Sequence, residues 1–286
     1  MIAQSFVATH VKEQNSYQRT LHFHDINEIL FSLNSECSFF LGSNSFKINR
    51  GVMILIPEGT IHRKFNPSNL VVDTYTVHYP TSLLGAYSTP NTNLLRIYGS
   101  AAACVQLPEE KIELAKGLFE DCLVPDDSSF GCDLRRNMRF LEVLLEFYPY
   151  FDDGAKHSVS KSEESPFVAE LISYIQAHLT ERISLDQLAN EFFTSKYNLC
   201  RIFKKETGFT IVEYINSNRI RLACSILREE KQGYDVGNRV GFSNRSHFIR
   251  TFQQLTGTTP GGYAKQYRGY TNAPAFSIFT PHKDSP

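Results

Sequence analysis

The stretch HFHDINE sets His22, His24 and Glu28 along one strand-like run, and GVMILIPEGTIHRKFN brings in His62 behind Pro57 and Gly59. Imidazole nitrogens and carboxylate oxygens are the donors that hold Zn, Fe, Ni or Mn, so these four residues are candidate ligands for a divalent metal. The same donors line pockets for small polar molecules, which makes His22, His24, Glu28 and His62 the candidate effector-binding set as well. A different chemistry belongs to the last third of the chain. There Lys196, Tyr197, Asn198 and Arg201 precede Lys204 and Lys205, and Asn244, Arg245, Ser246, His247 and Arg250 form a second group of donors. Arginine bonds guanine O6 and N7 in bidentate fashion, asparagine pairs with adenine, and lysine neutralises phosphates. These side chains are candidates for contact with double-stranded DNA, with Arg219 added as a phosphate contact.

Such residues reach a groove only if helices present them, and the local signals supply those helices. RIFKKETGFTIVEY (201–214) and RTFQQLTGTTPGGY (250–263) align at an offset of 49, so one unit is present twice. In the first copy Ser184 with Gln187 reads as a capping box, Leu185, Leu188 and Ala189 as an apolar stripe, and Phe193-Thr194 as a turn. Ser195 caps the next helix, which runs to about Thr207 and stops at Gly208. In the second copy Gly241 closes the short helix and Ser243 caps one running to Gly257. Thr259-Pro260 then opens a last helix, where the missing N–H of proline has no intrahelical partner to lose. Phe248, Ile249, Phe252 and Leu255 fall on one stripe and are expected to pack inward.

Upstream the pattern changes. Glu28 to Leu33, Ser38 to Phe40, Phe46 to Ile48, Val52 to Ile56 and Leu70 to His78 read as strands separated by Gly, Asn, Ser and Pro. Helical spacing follows, with Ile112, Ala115, Leu118, Phe119 and Cys122 in one segment and Leu134, Met138, Leu141, Leu144, Leu145 and Tyr148 in the next. A polar run, FDDGAKHSVSKSEESP, reads as a linker. The expected organisation is a domain over 1–150, a linker over 151–165, a helical domain over 166–270 and a polar tail over 271–286. At 286 residues and 42% hydrophobic content the chain supports two cores. Its net charge of −1 conceals a division. Residues 166–270 carry 14 basic against 9 acidic side chains, whereas 1–165 carry 14 against 20. A positive segment suits a polyanion partner. Six scattered cysteines without a C-x-x-C pair read as reduced, mostly buried thiols. No apolar run is long enough to cross a bilayer and no basic segment followed by an apolar block opens the chain, so a cytoplasmic protein without a membrane partner is expected.

Residues Pro166 to Tyr270 resemble the DNA-binding region of AraC-type bacterial transcriptional regulators. The likeness is carried by SLDQLANEFFTSKYNLCRIFKKETGFTIVEYINSNRIRLA and by VGFSNRSHFIRTFQQLTGTTPGGY. It implies two helix-turn-helix subdomains joined by one long helix, about Ile211 to Leu227, with two recognition helices in successive major grooves. Three residues depart from the family pattern. Gly237 replaces a small helix former and should weaken its helix by about 1 kcal/mol; Gln253 stands where lysine is common; Gly261-Gly262 loosens the last helix. The histidine motifs look like the paired motifs of a cupin barrel, although the first lacks the glycine expected near Ser35. The fold class expected is therefore α+β, with an N-terminal cupin-like β-barrel carrying two accessory helices and a C-terminal all-α domain of two helix-turn-helix subdomains.

The function expected from these residues and this resemblance is sequence-specific DNA binding by a transcriptional regulator, not an enzyme, that answers to a small-molecule effector such as a sugar. Phe31, Phe39 and Tyr75 would line the effector pocket, and the helices between 108 and 148 would form a homodimer seam. No cofactor is expected beyond the candidate divalent metal. The alternative is a metal-dependent cupin enzyme fused to a DNA-binding region. It is disfavoured because no second chemical group accompanies the four donors and an enzyme has no use for duplicated DNA-reading helices.

Overall fold

The computed structural model describes residues 6–14, 21–34, 37–65, 71–99, 103–125, 129–159, 166–230 and 235–268. The chain divides into two compact units, one comprising Met1–Arg19, Asp25–Thr60 and Lys64–Ser162, the other Thr20–His24, Ile61–Arg63 and Glu163–Pro286. The fold is mixed α+β, with sheets upstream and helices downstream.

The described strands are β1 (Val7–Gln14), β2 (Asn27–Asn34), β3 (Cys37–Leu41), β4 (Asn44–Ile48), β5 (Val52–Ile56), β6 (His62–Phe65), β7 (Val71–Tyr79) and β8 (Cys104–Gln106). They form a five-stranded sheet of order β1-β7-β2-β5-β8 and a three-stranded sheet of order β4-β3-β6. β2 and β5 pair antiparallel, with Glu28 opposite Ile56 and Phe31 opposite Met53. Nearly all their side chains are buried, which explains why both read as apolar runs rather than alternations. Successive residues serve different cores. Ile29, Phe31, Leu33, Met53 and Leu55 enter one cluster, while Leu30, Val52, Ile54 and Ile56 enter another.

This division corrects the expected effector lining. Phe31 and Tyr75 belong to the first cluster, where their rings lie 5.4 and 6.0 Å from that of Phe119; Phe39 belongs to the second. These aromatics pack two separate cores. On the outer strand β1, His10 Nε2 and Lys12 Nζ lie 2.7 and 3.1 Å from the Asp73 carboxylate, and the His10 ring stacks on Tyr75 at 4.1 Å. Burial opposes ionisation of Asp73, but the hydrogen bonds from His10 and Lys12 outweigh it and hold the carboxyl below its ordinary range.

α1 (Thr81–Tyr87) and a 3-10 turn (Leu94–Gly99) lead to α2 (Glu109–Cys122), which buries the five residues that the spacing predicts. α3 (Cys132–Asp152) departs from the expectation of one stripe. It buries Phe140, Val143, Leu144, Phe147 and Phe151 but leaves Leu134, Met138 and Leu145 at least half exposed. Each buried phenylalanine contributes about 1.5–3 kcal/mol. The expected linker is also corrected at its start. α3 runs to Asp152, α4 (Gly154–His157) follows, and Ser158 bridges to Val105. The remainder of the linker, Ser35 and the tail over 271–286 lie outside the described residues. All six cysteines are free; burial pushes the thiols of Cys37 and Cys104 up to about 11 and 12, so both behave as small hydrophobes.

The helical unit consists of α5 (Pro166–Ala177), α6 (Leu185–Glu191), α7 (Lys196–Thr207), α8 (Ile211–Glu230), α9 (Val236–Arg239), α10 (Arg245–Thr256) and α11 (Pro260–Arg268). Ser184 and Gln187 form the predicted capping box of α6. Ser195 caps α7 by accepting from the Asn198 N–H, and Gly208 closes that helix. The cap of α10 differs from the expectation: it is Asn244, whose side chain accepts from the His247 N–H at 2.9 Å, and not Ser243. Buried rings fill both helix pairs. Phe203, Phe209 and Tyr214 cluster behind α7, and Phe248, Phe252 and Tyr263 behind α10.

Candidate nucleic-acid interface and histidine cluster

α6 and α7 are joined by a turn at 192–195, and α9 and α10 by a turn at 240–244. On α7, Leu199, Phe203 and Thr207 are buried, which fixes the opposite side outward and exposes Tyr197, Arg201, Lys204 and Lys205. Lys196 Nζ lies 2.9 Å from Asp186 of α6. Asn198 is half-buried; its amide donates to Thr194 Oγ1 at 3.1 Å and its carbonyl accepts from Arg201 at 2.8 Å. Asn198 therefore orients Arg201. α10 repeats the arrangement, burying Phe248, Thr251 and Phe252 and exposing Arg245, Ser246, His247 and Arg250. His247 sits edge-on to Phe242 at 5.4 Å. Asn244 is spent largely on its capping bond.

Arg219 is a correction. It is only 8% exposed, and its guanidinium donates to backbone carbonyls inside the helical unit, so it does not reach a phosphate. The sequence places Phe193 in the first turn but does not announce its exposure or its left-handed backbone. This residue is fully exposed and holds φ +48° in the first turn, where the second turn places Gly241 at +91°. The offset between the repeats aligns the two positions, and that comparison was the signal available.

The histidines expected to meet do so. The ring of His62 lies 4.2 Å from that of His22 and 4.9 Å from that of His24, and the backbones of His22 and His62 exchange hydrogen bonds of 3.2 and 2.9 Å. His22, His24 and His62 belong to one of the two units and Glu28 to the other. Glu28 faces His78 Nε2 at 3.3 Å, a neighbour that sequence reasoning did not single out. The signal was present, since His78 falls on a strand paired with β2. One residue beyond His62, Arg63 donates to the carbonyl of Gly208, the residue that closes α7, at 2.6 Å.

Residues 188–266 match a family described as a helix-turn-helix domain. The HTH-type transcriptional activator AarP of Providencia stuartii is 30% identical over 110 residues, which cover 38% of this chain and 82% of AarP. The chain belongs to the AraC-type transcriptional regulators. Two further relatives place this AraC-type regulator more broadly. The bifunctional transcriptional activator/DNA repair enzyme AdaA of Bacillus subtilis is 34% identical over 109 residues, covering 38% of this chain and 52% of AdaA. The HTH-type transcriptional regulator YdeC of the same species is 23% identical over 257 residues, covering 86% of each chain. The AraC-type regulator thus spans about half the length of AdaA. Among its described residues no helix is long and apolar enough to cross a membrane.

Proposed function

We propose that this AraC-type regulator binds double-stranded DNA sequence-specifically through α7 and α10, and that a small polar molecule at His22, His24, Glu28 and His62 controls that binding. The observation that carries the reading is the duplication. Two capped helices each turn an aromatic side inward and a donor-rich side outward, with Arg201 and Arg250 in matching places. Chance packing of a helical hairpin gives no reason for the outward chemistry to repeat. Tyr197, Arg201, Ser246, His247 and Arg250 serve as base readers, with Arg245 and Lys196 at the helix starts and Lys204 and Lys205 on phosphates.

The two-sheet unit is read as a cupin-like effector domain. Imidazole and carboxylate donors suit the hydroxyls of a sugar. They also fit a divalent cation. Such an ion would supply Lewis-acid character to a bound oxygen donor. The contact of Arg63 with Gly208 supports control of DNA binding, because a ligand that favours one setting of His62 shifts the population of settings at the end of α7. A homodimer is part of the same proposal. The exposed Leu134, Met138 and Leu145 of α3 follow spacings of 4 and 7 residues, as a helix seam requires, and sedimentation at twice the 32.6 kDa chain mass would support it.

The test is retention of genomic fragments by the purified protein at two salt concentrations, comparing wild type with Arg201→Ala and Arg250→Ala. Selective retention of a few fragments, reduced roughly 10- to 100-fold in each variant, is expected. Weak retention of all fragments that vanishes with salt and ignores both arginines would sink the proposal.

A further inference from the structure

Arg219 lies within α8, the helix that separates the two helix-turn-helix pairs. Its Nε donates to the Leu179 carbonyl at 2.9 Å and its Nη2 to the Glu181 carbonyl at 2.6 Å. Both acceptors belong to the loop that leads from α5 into α6. The same guanidinium also faces the second pair. The Phe242 ring centroid lies 5.7 Å from Arg219 Cζ, and a Cβ added at Gly241 would come within 2.9 Å of Cζ, Nε and Nη2. Gly241, with φ +91°, is the residue that turns the chain from α9 towards α10.

One buried cation therefore touches three things at once: the long helix, the entry to the first pair and the turn of the second. We propose that Arg219 is a positioning residue that fixes the offset between α7 and α10 and so sets which spacing of two DNA half-sites the regulator accepts. The inference rests on the DNA-binding reading above. A planar guanidinium is suited to the task because its donors form a rigid fork, whereas an ammonium would hold one carbonyl without fixing direction. The absence of a side chain at Gly241 lets the second turn close onto that fork. The rings behind α7 pack on one another, whereas the cluster behind α10 meets Arg219 through Phe242, which lies 5.4 Å from Phe248, so the single half-site control is needed to show that the second pair keeps its core.

The experiment uses the full-length protein and a two-half-site DNA selected by wild type. Inserting one base pair between the half-sites turns the second by about 35° and moves it about 3.4 Å. Wild type is expected to lose roughly tenfold or more in affinity. Arg219→Met and Arg219→Lys are expected to bind the parent DNA more weakly and to lose less than about threefold on insertion, while a DNA with one half-site is bound equally by all three proteins. A variant that keeps the wild-type penalty for insertion overturns the proposal. Should Arg219→Met also lose the single half-site, its helices have been damaged, and Arg219→Lys with Gly241→Ala decides the matter from the two sides of the contact. If wild type selects no sequence at all, the DNA-binding reading fails first and this inference falls with it; selection without spacing preference removes this inference alone.

Discussion

Gly237 offers a sharp contest between two magnitudes. Helix propensity alone says that Gly237→Ala should stabilise α9, because glycine in a helix is worth about 1 kcal/mol less than alanine. Packing says the opposite. A Cβ at Gly237 would lie 2.9 Å from Phe248 Cδ1 and Cγ and 3.2 Å from its Cβ. The Phe248 ring cannot retreat freely, since it packs against Phe242 at 5.4 Å and Phe252 at 5.7 Å. Overpacking of this kind costs about 1–3 kcal/mol. The propensity gain is smaller than usual because α9 has only four residues. Packing therefore wins, and a net loss of about 1–2 kcal/mol is expected. Thermal unfolding followed by helical signal should show the helical unit melting roughly 5–10 °C lower. Gly237→Ala combined with Phe248→Leu should recover part of the loss that the two single changes sum to. A midpoint raised by Gly237→Ala would refute the argument and return the position to simple propensity.

Two further outcomes follow from single contacts. Phe193→Gly should raise stability by about 0.5–1 kcal/mol, because the left-handed backbone costs an L-residue about 1–2 kcal/mol and glycine returns some of that as chain entropy; an unchanged or lower melting point would show that the turn is not strained. Asp73 has a folded-state pKa held below its unfolded value, so its stabilisation is present above the ordinary carboxylate range and is lost as pH falls through the lower folded value. Denaturation midpoints between pH 5 and 2 should accordingly fall less steeply for Asp73→Asn than for wild type, and parallel curves would count against the His10 and Lys12 bonds.

The helical half was legible because its signals are local. Ser184, Gln187, Ser195, Gly208 and Pro260 act on residues within one turn of themselves, and all five stand where the sequence puts them. Of the eight described strands β2, β3, β4, β5 and β7 were legible, and β1, β6 and β8 were not. β2 and β5 announce themselves as apolar runs, but β1 mixes polar residues into its alternation and β8 has three residues. The split of α3 into a buried and an exposed apolar face is invisible to a pattern that records only hydrophobicity. At the candidate site, the meeting of three histidines could be anticipated from motif likeness, whereas the fate of Arg219 could not. A buried arginine and a surface one are written alike, and only the carbonyls of Leu179 and Glu181 tell them apart.

The pairing of Lys196 with Asp186 bears on how such a protein would find its operator in a chromosome. Asp186 already occupies the cation at the head of α7. On the reading proposed above, a random stretch of DNA would offer Lys196 only a phosphate in exchange, whereas a correct site would also satisfy Arg201 and its neighbours. On that reading, loss of this exposed pair, worth at most about 1 kcal/mol, would weaken right and wrong encounters alike and bring the already weak wrong ones closer to release. With about 10⁶–10⁹ competing sites in a genome, even a severalfold weakening of indiscriminate binding enlarges the pool of protein free to search.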